Sequence, residues 1–240
     1  MLTSATTAAR ATTAAVLFDA VGTLICPDPP VAAAYGAVAR RHGSRLTDDQ
    51  IGERFRGAFR RQEELDAGPG GCPTDEAREL RRWQTIVAEV FDDVADGRAV
   101  FAELWEHFAL PGHWRLFDDV AEAWRSLAAR GFKLGIASNF DGRLRRVCAG
   151  LTPLDRCDRL FVSSELGVRK PSPEFFTRIE KALKLSAAEI LLVGDDWSND
   201  YLAAKAAGWR VVFLDRGGQQ PTGVDSIRSL AELPAKLSAP

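Results

Sequence analysis

The sequence predicts an α/β fold, a doubly wound parallel sheet into which an α-helical subdomain is inserted after the first strand. Two observations predict it. Short apolar runs of strand length alternate with segments of helical periodicity, and one long segment contains helical patterns only. Because alternating strands and helices build a parallel sheet with helices on its faces, we expect a flexible leader at 1–13, a sheet core formed by 14–28 and 112–240, and a helical cap at 29–111.

Five apolar runs are the predicted strands, at 14–19, 132–137, 160–162, 190–193 and 210–214. Their side chains are apolar in succession, which is typical of strands that are covered on both faces of a parallel sheet. Segments of helical periodicity lie between them, for example at 119–130 and 199–207. Gly208, directly after the second of these segments, is typical of the residue that ends a helix.

The predicted cap contains four helical patterns. Val31 and Tyr35 share one helix face, and residues 47–50 form a capping-box pattern ahead of a second helix. Apolar stripes around Trp83 and Trp105 predict a third and a fourth helix. The aromatic residues of these stripes are predicted to form a core, because burial is the commoner use of this spacing. The arginines of the second helix are predicted to face solvent: Arg54, Arg56, Arg60 and Arg61.

Composition and charge exclude several classes of partner. The 240-residue chain has a formal net charge of −2, so it carries no basic field that would favour nucleic acid. No apolar stretch approaches the roughly 18 residues of a membrane span, and the leader lacks the apolar run of a secretory signal. Four scattered cysteines predict free thiols. We therefore expect a cytoplasmic protein, a monomer or a weak homodimer, that binds neither nucleic acid nor membrane.

Reactive side chains follow the predicted strands at the points where the strands end. They are Asp19 after the first strand, Ser138 and Asn139 after the second, and Asp195, Asp196 and Asp200 after the fourth. Lys170 lies shortly before a predicted helix start, with Ser172 as the N-cap and Pro173 in the first turn. Ligands of open parallel sheets bind beyond the carboxyl ends of the strands. One rim of the sheet is therefore predicted to collect carboxylates, a lysine, a hydroxyl and an amide.

In order and spacing these residues resemble the four motifs of the haloacid dehalogenase-like (HAD) hydrolase superfamily. The matching segments are Asp19-x-x-x-Thr23, Ser138-Asn139, Lys170-Pro171 and Gly194-Asp195-Asp196-x-x-x-Asp200. The predicted cap is similar to the type-1 cap of that superfamily. The stretches DAVGTL, SNFDGRL and VGDDWSNDYLAAKAAG resemble, more narrowly, the branch named for the rhythmically expressed gene 2 protein. The resemblance implies a Rossmann-like core and a hydrolase.

The resemblance further implies a Mg²⁺-dependent phosphohydrolase that acts on a small phosphorylated metabolite. Asp19 would attack phosphorus and form an aspartyl-phosphate. Mg²⁺, a hard cation that prefers oxygen ligands, would be held by Asp19, Asp195 and the backbone carbonyl of Val21. Asp200 and Asp196 would lie behind these ligands, in a second layer around the metal site. The cation would remove the repulsion between the phosphate and these carboxylates.

The other motif residues would neutralise charge on the reacting groups and orient the phosphoryl group. The resemblance implies that Lys170 neutralises charge on the nucleophile and on the transferring group. Thr23, Ser138 and Asn139 would donate hydrogen bonds to phosphoryl oxygens. One position departs from the family pattern. Most phosphatases of the superfamily have a second Asp two residues after the nucleophile, which protonates the leaving oxygen, and here that residue is Val21.

Three functions stay open on the sequence because of this valine. The first is a phosphohydrolase that favours good leaving groups, since these need no proton donor. The second is a 2-haloacid dehalogenase-type hydrolase, in which Asp19 attacks carbon and halide leaves unprotonated. The third is a non-catalytic relative that binds a phospho-ligand or a protein. The three carboxylates Asp195, Asp196 and Asp200 favour the first function, because they are typical of a cation site, whereas the resemblance implies a metal-free site for the dehalogenases. The physiological substrate is not predicted by the sequence.

Overall fold

A computed structural model describes residues 12–66, 72–218 and 223–237, so most of the predicted leader lies outside the described residues. The strands are β1 (Ala15–Phe18), β2 (Ile25–Pro27), β3 (Trp114–Leu116), β4 (Lys133–Ser138), β5 (Arg159–Val162), β6 (Ile190–Gly194), β7 (Arg210–Leu214) and β8 (Ser226–Ile227). The helices are α1 (Val31–Arg41), α2 (Asp48–Asp66), α3 (Glu76–Val90), α4 (Gly97–His107), α5 (Val120–Ala129), α6 (Arg143–Ala149), α7 (Ser163–Leu166), α8 (Pro173–Leu183), α9 (Ala203–Ala206) and α10 (Leu233–Lys236).

The main sheet is parallel and six-stranded, with the order β5-β4-β1-β6-β7-β8. Strand β1 lies in its middle, where Phe18 is in register with Ile136 of β4 and with Val193 of β6. All four residues of β1 are buried, which explains why this strand is apolar on both faces. The chain order reverses on the two sides of β1, so the carboxyl ends of β1, β4 and β6 frame a crevice. The predicted doubly wound α/β fold is confirmed.

A small antiparallel ribbon, β2 with β3, was not predicted. Ile25 is in register with Leu116, and Pro27 with Trp114. The ribbon joins the two points at which the chain leaves the sheet core and returns to it. Strands of three residues are too short to show a period, and β8 with two residues was missed for the same reason.

Helices α1 to α4 follow β2, as the periodicity predicts, and they share an apolar core. Tyr35 of α1 lies in this core with Ile51 of α2, Val87 of α3 and Leu104 of α4. The capping box ahead of α2 is present, because the amide of Gln50 donates to Thr47 Oγ1 and the amide of Thr47 donates to Gln50 Oε1. In the part of the chain that the structure describes, no helix has both the length and the apolar character needed to cross a membrane.

Two helix starts near the crevice depend on side-chain caps. Ser172 accepts a hydrogen bond from the amide of Glu174 at the start of α8, with Pro173 in its first turn, as predicted. The helix predicted at 199–207 begins earlier, in a π-helical turn at Trp197–Leu202 that leads into α9. The cause is the carboxylate of Asp196, which accepts from backbone amides that follow it and so fixes an earlier start.

Candidate active site

The Asp19 carboxylate lies directly beyond the end of β1, at the crevice. The amide of Asp19 donates to Val193 O of β6 (2.9 Å), which continues the sheet pairing up to this residue. Lys170 Nζ donates to Asp19 Oδ1 (2.8 Å), to Asp200 Oδ1 (2.6 Å) and to Ala137 O (3.0 Å). The Lys170 side chain is only 2% exposed, so this ammonium is fixed between the ends of three neighbouring strands.

Three carboxylates meet beside this one ammonium group. Oxygen atoms of Asp19, Asp195 and Asp200 lie within 4.8 Å of one another. Burial, helped by the charge of Asp19, raises the pKa of Asp195 to about 6. Burial also raises the pKa of Asp200, with Lys170 opposing it. For Lys170 itself burial disfavours the charge, but Asp19 and Asp200 outweigh burial and hold its pKa above its ordinary value.

This donor set fits a divalent cation. Three carboxylates against one ammonium leave an excess of negative charge, and each of the three offers the hard oxygen ligand that Mg²⁺ prefers. Two glycines allow the close approach. A Cβ at Gly22, whose φ is +90°, would overlap the Asp195 carboxylate, and a Cβ at Gly194 would overlap the Asp200 carboxylate. The backbone is therefore shaped so that these carboxylates can lie against it.

The predicted hydrogen-bond donors hold other site residues in place. The fully buried Thr23 donates from Oγ1 to Asp195 Oδ1 (2.7 Å). The Asn139 amide donates to Lys170 O (3.0 Å) and accepts from Lys170 N (2.8 Å), which ties the end of β4 to the lysine. Ser138, the last residue of β4, lines the cavity above Asp19. Thr23 and Asn139 thus position a carboxylate and the lysine.

Asp196 is the predicted metal-site residue that the structure does not bring into the three-carboxylate cluster. Its Oδ1 accepts from the amides of Ser198 (2.9 Å) and Asn199 (2.8 Å), and its Oδ2 accepts from Asn199 Nδ2 (3.0 Å). The side chain is exposed at the rim of the cavity. This carboxylate therefore caps the turn that follows it, and a second-layer metal role for Asp196 stays a prediction. Val21 also lines this cavity and is 37% exposed.

Residues 13–208 match the family of haloacid dehalogenase-like hydrolases. The chain belongs to this family and is a hydrolase. It is 29% identical to haloacid dehalogenase-like hydrolase domain-containing protein 3 of Danio rerio, over 92% of this chain and 95% of the relative. It is 27% identical to the rhythmically expressed gene 2 protein of Drosophila melanogaster, over 81% and 80% of the two chains. A HAD phosphatase structure from Thermococcus onnurineus is similar at a TM-score of 0.68 and 25% identity, covering 94% of this chain and 98% of that one. The superfamily and the branch that the motifs indicate are confirmed.

The HAD-like hydrolase has a cavity of about 250 Å³ between the crevice and helices α2 and α3, which we call the carboxylate cavity. The helices and the segment before Lys170 contribute lining residues that the sequence did not assign to a site: Phe59, Glu63, Glu79, Arg82, Trp83 and Arg169. The adjacency of Arg169 to Lys170 was the one available signal. Helical spacing alone does not separate Glu79 or Arg82 from any other polar residue on α3.

Charged side chains of the carboxylate cavity connect the helices to the sheet core. Arg82 of α3 and Arg169 both pair with Glu63 and Asp66 of α2, with Arg169 Nη2 at 2.6 Å from Glu63 Oε1. Burial would raise the pKa of Glu63, but Arg169 and Arg82 outweigh burial and lower it. Burial raises the pKa of Glu79, although Thr74 donates a hydrogen bond to it. The arginines predicted on α2 behave differently, since Arg54 and Arg61 form ion pairs away from this lining.

A second cavity, of about 270 Å³, opens beside the first. Seven of its twelve lining residues are aromatic, and we call it the aromatic cavity. The prediction that the aromatic stripes form a core is therefore only half right. Tyr35 is buried in the four-helix core and only borders the cavity, whereas Phe59 is 36% exposed and, together with Trp83, forms cavity wall outside that core. Periodicity identifies the face of a helix that is covered, but it does not say whether a side chain or a cavity lies opposite.

Proposed function

We propose that this hydrolase is a Mg²⁺-dependent phosphohydrolase that acts on a small phosphorylated metabolite through an aspartyl-phosphate. The observation that carries the proposal is the cluster of Asp19, Asp195 and Asp200 around the Lys170 ammonium. A phosphate dianion would be repelled by three carboxylates unless a cation neutralised them. Asp19, Asp195 and the carbonyl of Val21 would hold Mg²⁺, which when bound would neutralise the phosphate and withdraw electron density from phosphorus.

The chain's own residues would carry the covalent chemistry. A carboxylate oxygen of Asp19 forms a bond to phosphorus while the bond from phosphorus to the leaving oxygen breaks, and that oxygen departs with the electron pair. Water then attacks the aspartyl-phosphate, which releases inorganic phosphate and restores the Asp19 carboxylate. Lys170 would orient Asp19, because its ammonium donates to Asp19 Oδ1 at 2.8 Å. Ser138, which lies in the cavity lining, would donate a hydrogen bond to a phosphoryl oxygen.

The valine at position 21 limits the leaving group. General acid help is typically worth about 10²–10⁴-fold, and the Val21 side chain has no proton to give. Without a general acid, the rate falls least for substrates whose leaving oxygen is stable as an anion. We therefore propose that the enzyme favours such substrates. We also propose that 29–111 acts as a cap on the core of 14–28 and 112–240. Residues of α2 and α3 in the carboxylate cavity support that division.

The test is an assay of the purified protein on acetyl phosphate, p-nitrophenyl phosphate and L-2-chloropropionate, each with Mg²⁺ and with EDTA. We expect turnover of both phosphates that EDTA abolishes and that Asp19→Asn removes. Asp155→Asn, which changes an exposed carboxylate outside the cavity lining, is the matched control and should keep full activity. Turnover of the chloro-acid that survives EDTA would instead show a dehalogenase. Mg²⁺ and phosphate binding without any turnover would show a non-catalytic relative.

A further inference from the structure

The lining of the aromatic cavity is mostly apolar, whereas a site for a sugar or polyol phosphate needs polar groups that bind hydroxyls. Three polar side chains in its lining, those of Arg143, Trp114 and Asn139, already have partners. The Arg143 guanidinium donates to both oxygens of Asp141 (2.7 Å each) and lies over the Trp105 ring at 3.5 Å from its centroid. The Trp114 indole donates to Phe108 O (3.1 Å). The Asn139 amide is bonded to the backbone of Lys170. The surface left for a ligand is therefore mainly ring faces and edges.

The aromatic cavity adjoins the carboxylate cavity. Five residues line both: Val21, Phe59, Trp83, Asn139 and Phe140. Asp19 and Asp195 line only the carboxylate cavity, so a phosphoryl group in reach of Asp19 lies on that side of the junction. The group attached to the phosphoryl oxygen can then extend past Val21 into the aromatic cavity. The apolar side chain of Val21 faces this junction, at the position where a proton donor is missing.

We propose that the aromatic cavity binds the leaving group of the substrate and that this leaving group is itself aromatic, which makes the substrate an aryl phosphate. This inference rests on the proposed phosphohydrolase function and adds the chemical class of the leaving group. Aromatic rings pack against one another in edge-to-face and offset arrangements that reward a flat apolar ligand. The cavity of about 270 Å³ lies just below the usual range for small-molecule sites, so it suits a ring system of one or two rings.

The chemistry of an aryl phosphate agrees with the residue at position 21. When the bond from phosphorus to the aryl oxygen breaks, the electron pair leaves with a phenolate, which takes its proton from water afterwards. A phenol has a pKa near 10, as tyrosine does, so a phenolate is a far better leaving group than an alkoxide. The apolar lining, to which Val21 belongs, and the missing proton donor at the same position both favour this class of substrate.

The binding test uses phosphonates, whose bond from phosphorus to carbon is not hydrolysed. Isothermal titration with Mg²⁺ present compares 1-naphthylmethylphosphonate with methylphosphonate. Burial of the naphthyl ring should tighten binding by about 10²-fold. Phe59→Ala removes a ring that lines both cavities and should reduce this preference about five- to tenfold. The matched control is Leu65→Ala, an apolar truncation on the same helix at a residue that is 69% exposed, and it should keep the preference.

A kinetic arm separates this inference from the proposed function. We expect kcat/KM for 1-naphthyl phosphate to exceed that for phenyl phosphate, a smaller ring with a similar leaving oxygen, and Phe59→Ala to reduce the ratio. Turnover of phosphate esters with no preference for the larger ring, or equal binding of the two phosphonates, would overturn the aromatic leaving group and leave the phosphohydrolase intact. Tight, Phe59-dependent binding of the naphthyl phosphonate without turnover of any ester would keep the cavity assignment and refute the phosphohydrolase.

Discussion

Replacement of Lys170 by methionine tests whether one buried ammonium holds the candidate active site together. The Lys170 side chain is 2% exposed, and its two carboxylate partners are 13% exposed at Asp19 and 1% exposed at Asp200. Methionine fills most of the same volume, so Lys170→Met removes the charge and the three hydrogen bonds of Nζ with little change in packing. The carboxylates then stay buried without their counter-ion.

The size of the effect follows from this burial. Removal of one partner of a buried ion pair costs about 3–5 kcal/mol, because the remaining charge is left uncompensated. Here two carboxylates lose the same partner, with Asp195 close by, so we expect Lys170→Met to lower the free energy of unfolding by about 4 kcal/mol in EDTA. Asp200→Asn leaves Lys170 paired with Asp19 and should cost less, about 2 kcal/mol.

The assay is urea unfolding at pH 7 in EDTA, on the two single variants and the double variant Lys170→Met/Asp200→Asn. Because the second change removes one uncompensated charge, the double variant should be less destabilised than the two single losses added together, by about 1–3 kcal/mol. Added Mg²⁺ should narrow the deficit of Lys170→Met, since a cation among the same carboxylates replaces part of the lost charge. A Lys170→Met protein within 1 kcal/mol of the wild type, or strictly additive losses in the double variant, would refute the reasoning.

The remaining predictions concern the metal, the leaving group and the pH dependence of stability. Mg²⁺ should raise the unfolding midpoint of the wild type by a few degrees and that of Asp195→Asn by much less, and equal shifts in a thermal scan would contradict the predicted ligand role. Val21→Asp should raise kcat on an alkyl phosphate by about 10²-fold, and an unchanged rate in a folded variant would count against the missing-acid argument. Asp119 accepts from Arg216, Ser229 and the amide of Leu230. Burial disfavours its charge, but these donors outweigh burial and lower its pKa. Asp119→Asn should therefore cost about 2 kcal/mol at pH 7, and the cost should shrink as the pH falls below about 4, the ordinary pKa of Asp, whereas a cost independent of pH in urea titrations would contradict the assignment.

The sheet and the position of Asp19 at its rim could be predicted because their signals are local. An apolar run that ends at Asp19 identifies a buried strand and the carboxylate beyond it, without knowledge of any other segment. The rule that ligands lie at the carboxyl ends of parallel strands then brings Asp19, Asn139 and Asp195 to one rim. The structure agrees, and β1, β4 and β6 are neighbours in the sheet.

The hydrogen-bond partners of the site residues could not be predicted, because they depend on which side chains the tertiary fold brings close together. Asp195 and Asp196 are adjacent carboxylates in the same motif, yet Asp195 joins the cluster and Asp196 caps the turn that follows. Thr23 is 172 residues from its acceptor Asp195. The same limit applies to Arg82, whose role depends on how α3 lies over the crevice.

Val21 connects the missing proton donor with the aromatic cavity, and the two cannot be changed independently. A valine at the junction extends the apolar wall, whereas an aspartate would place a charge there and would supply a proton donor. The Val21→Asp variant should therefore hydrolyse alkyl phosphates faster and should also bind 1-naphthylmethylphosphonate more weakly. If the variant hydrolysed alkyl phosphates faster with no loss of naphthyl binding, the leaving group would not pass Val21. The path from the carboxylate cavity to the aromatic cavity would then have to run along Phe140.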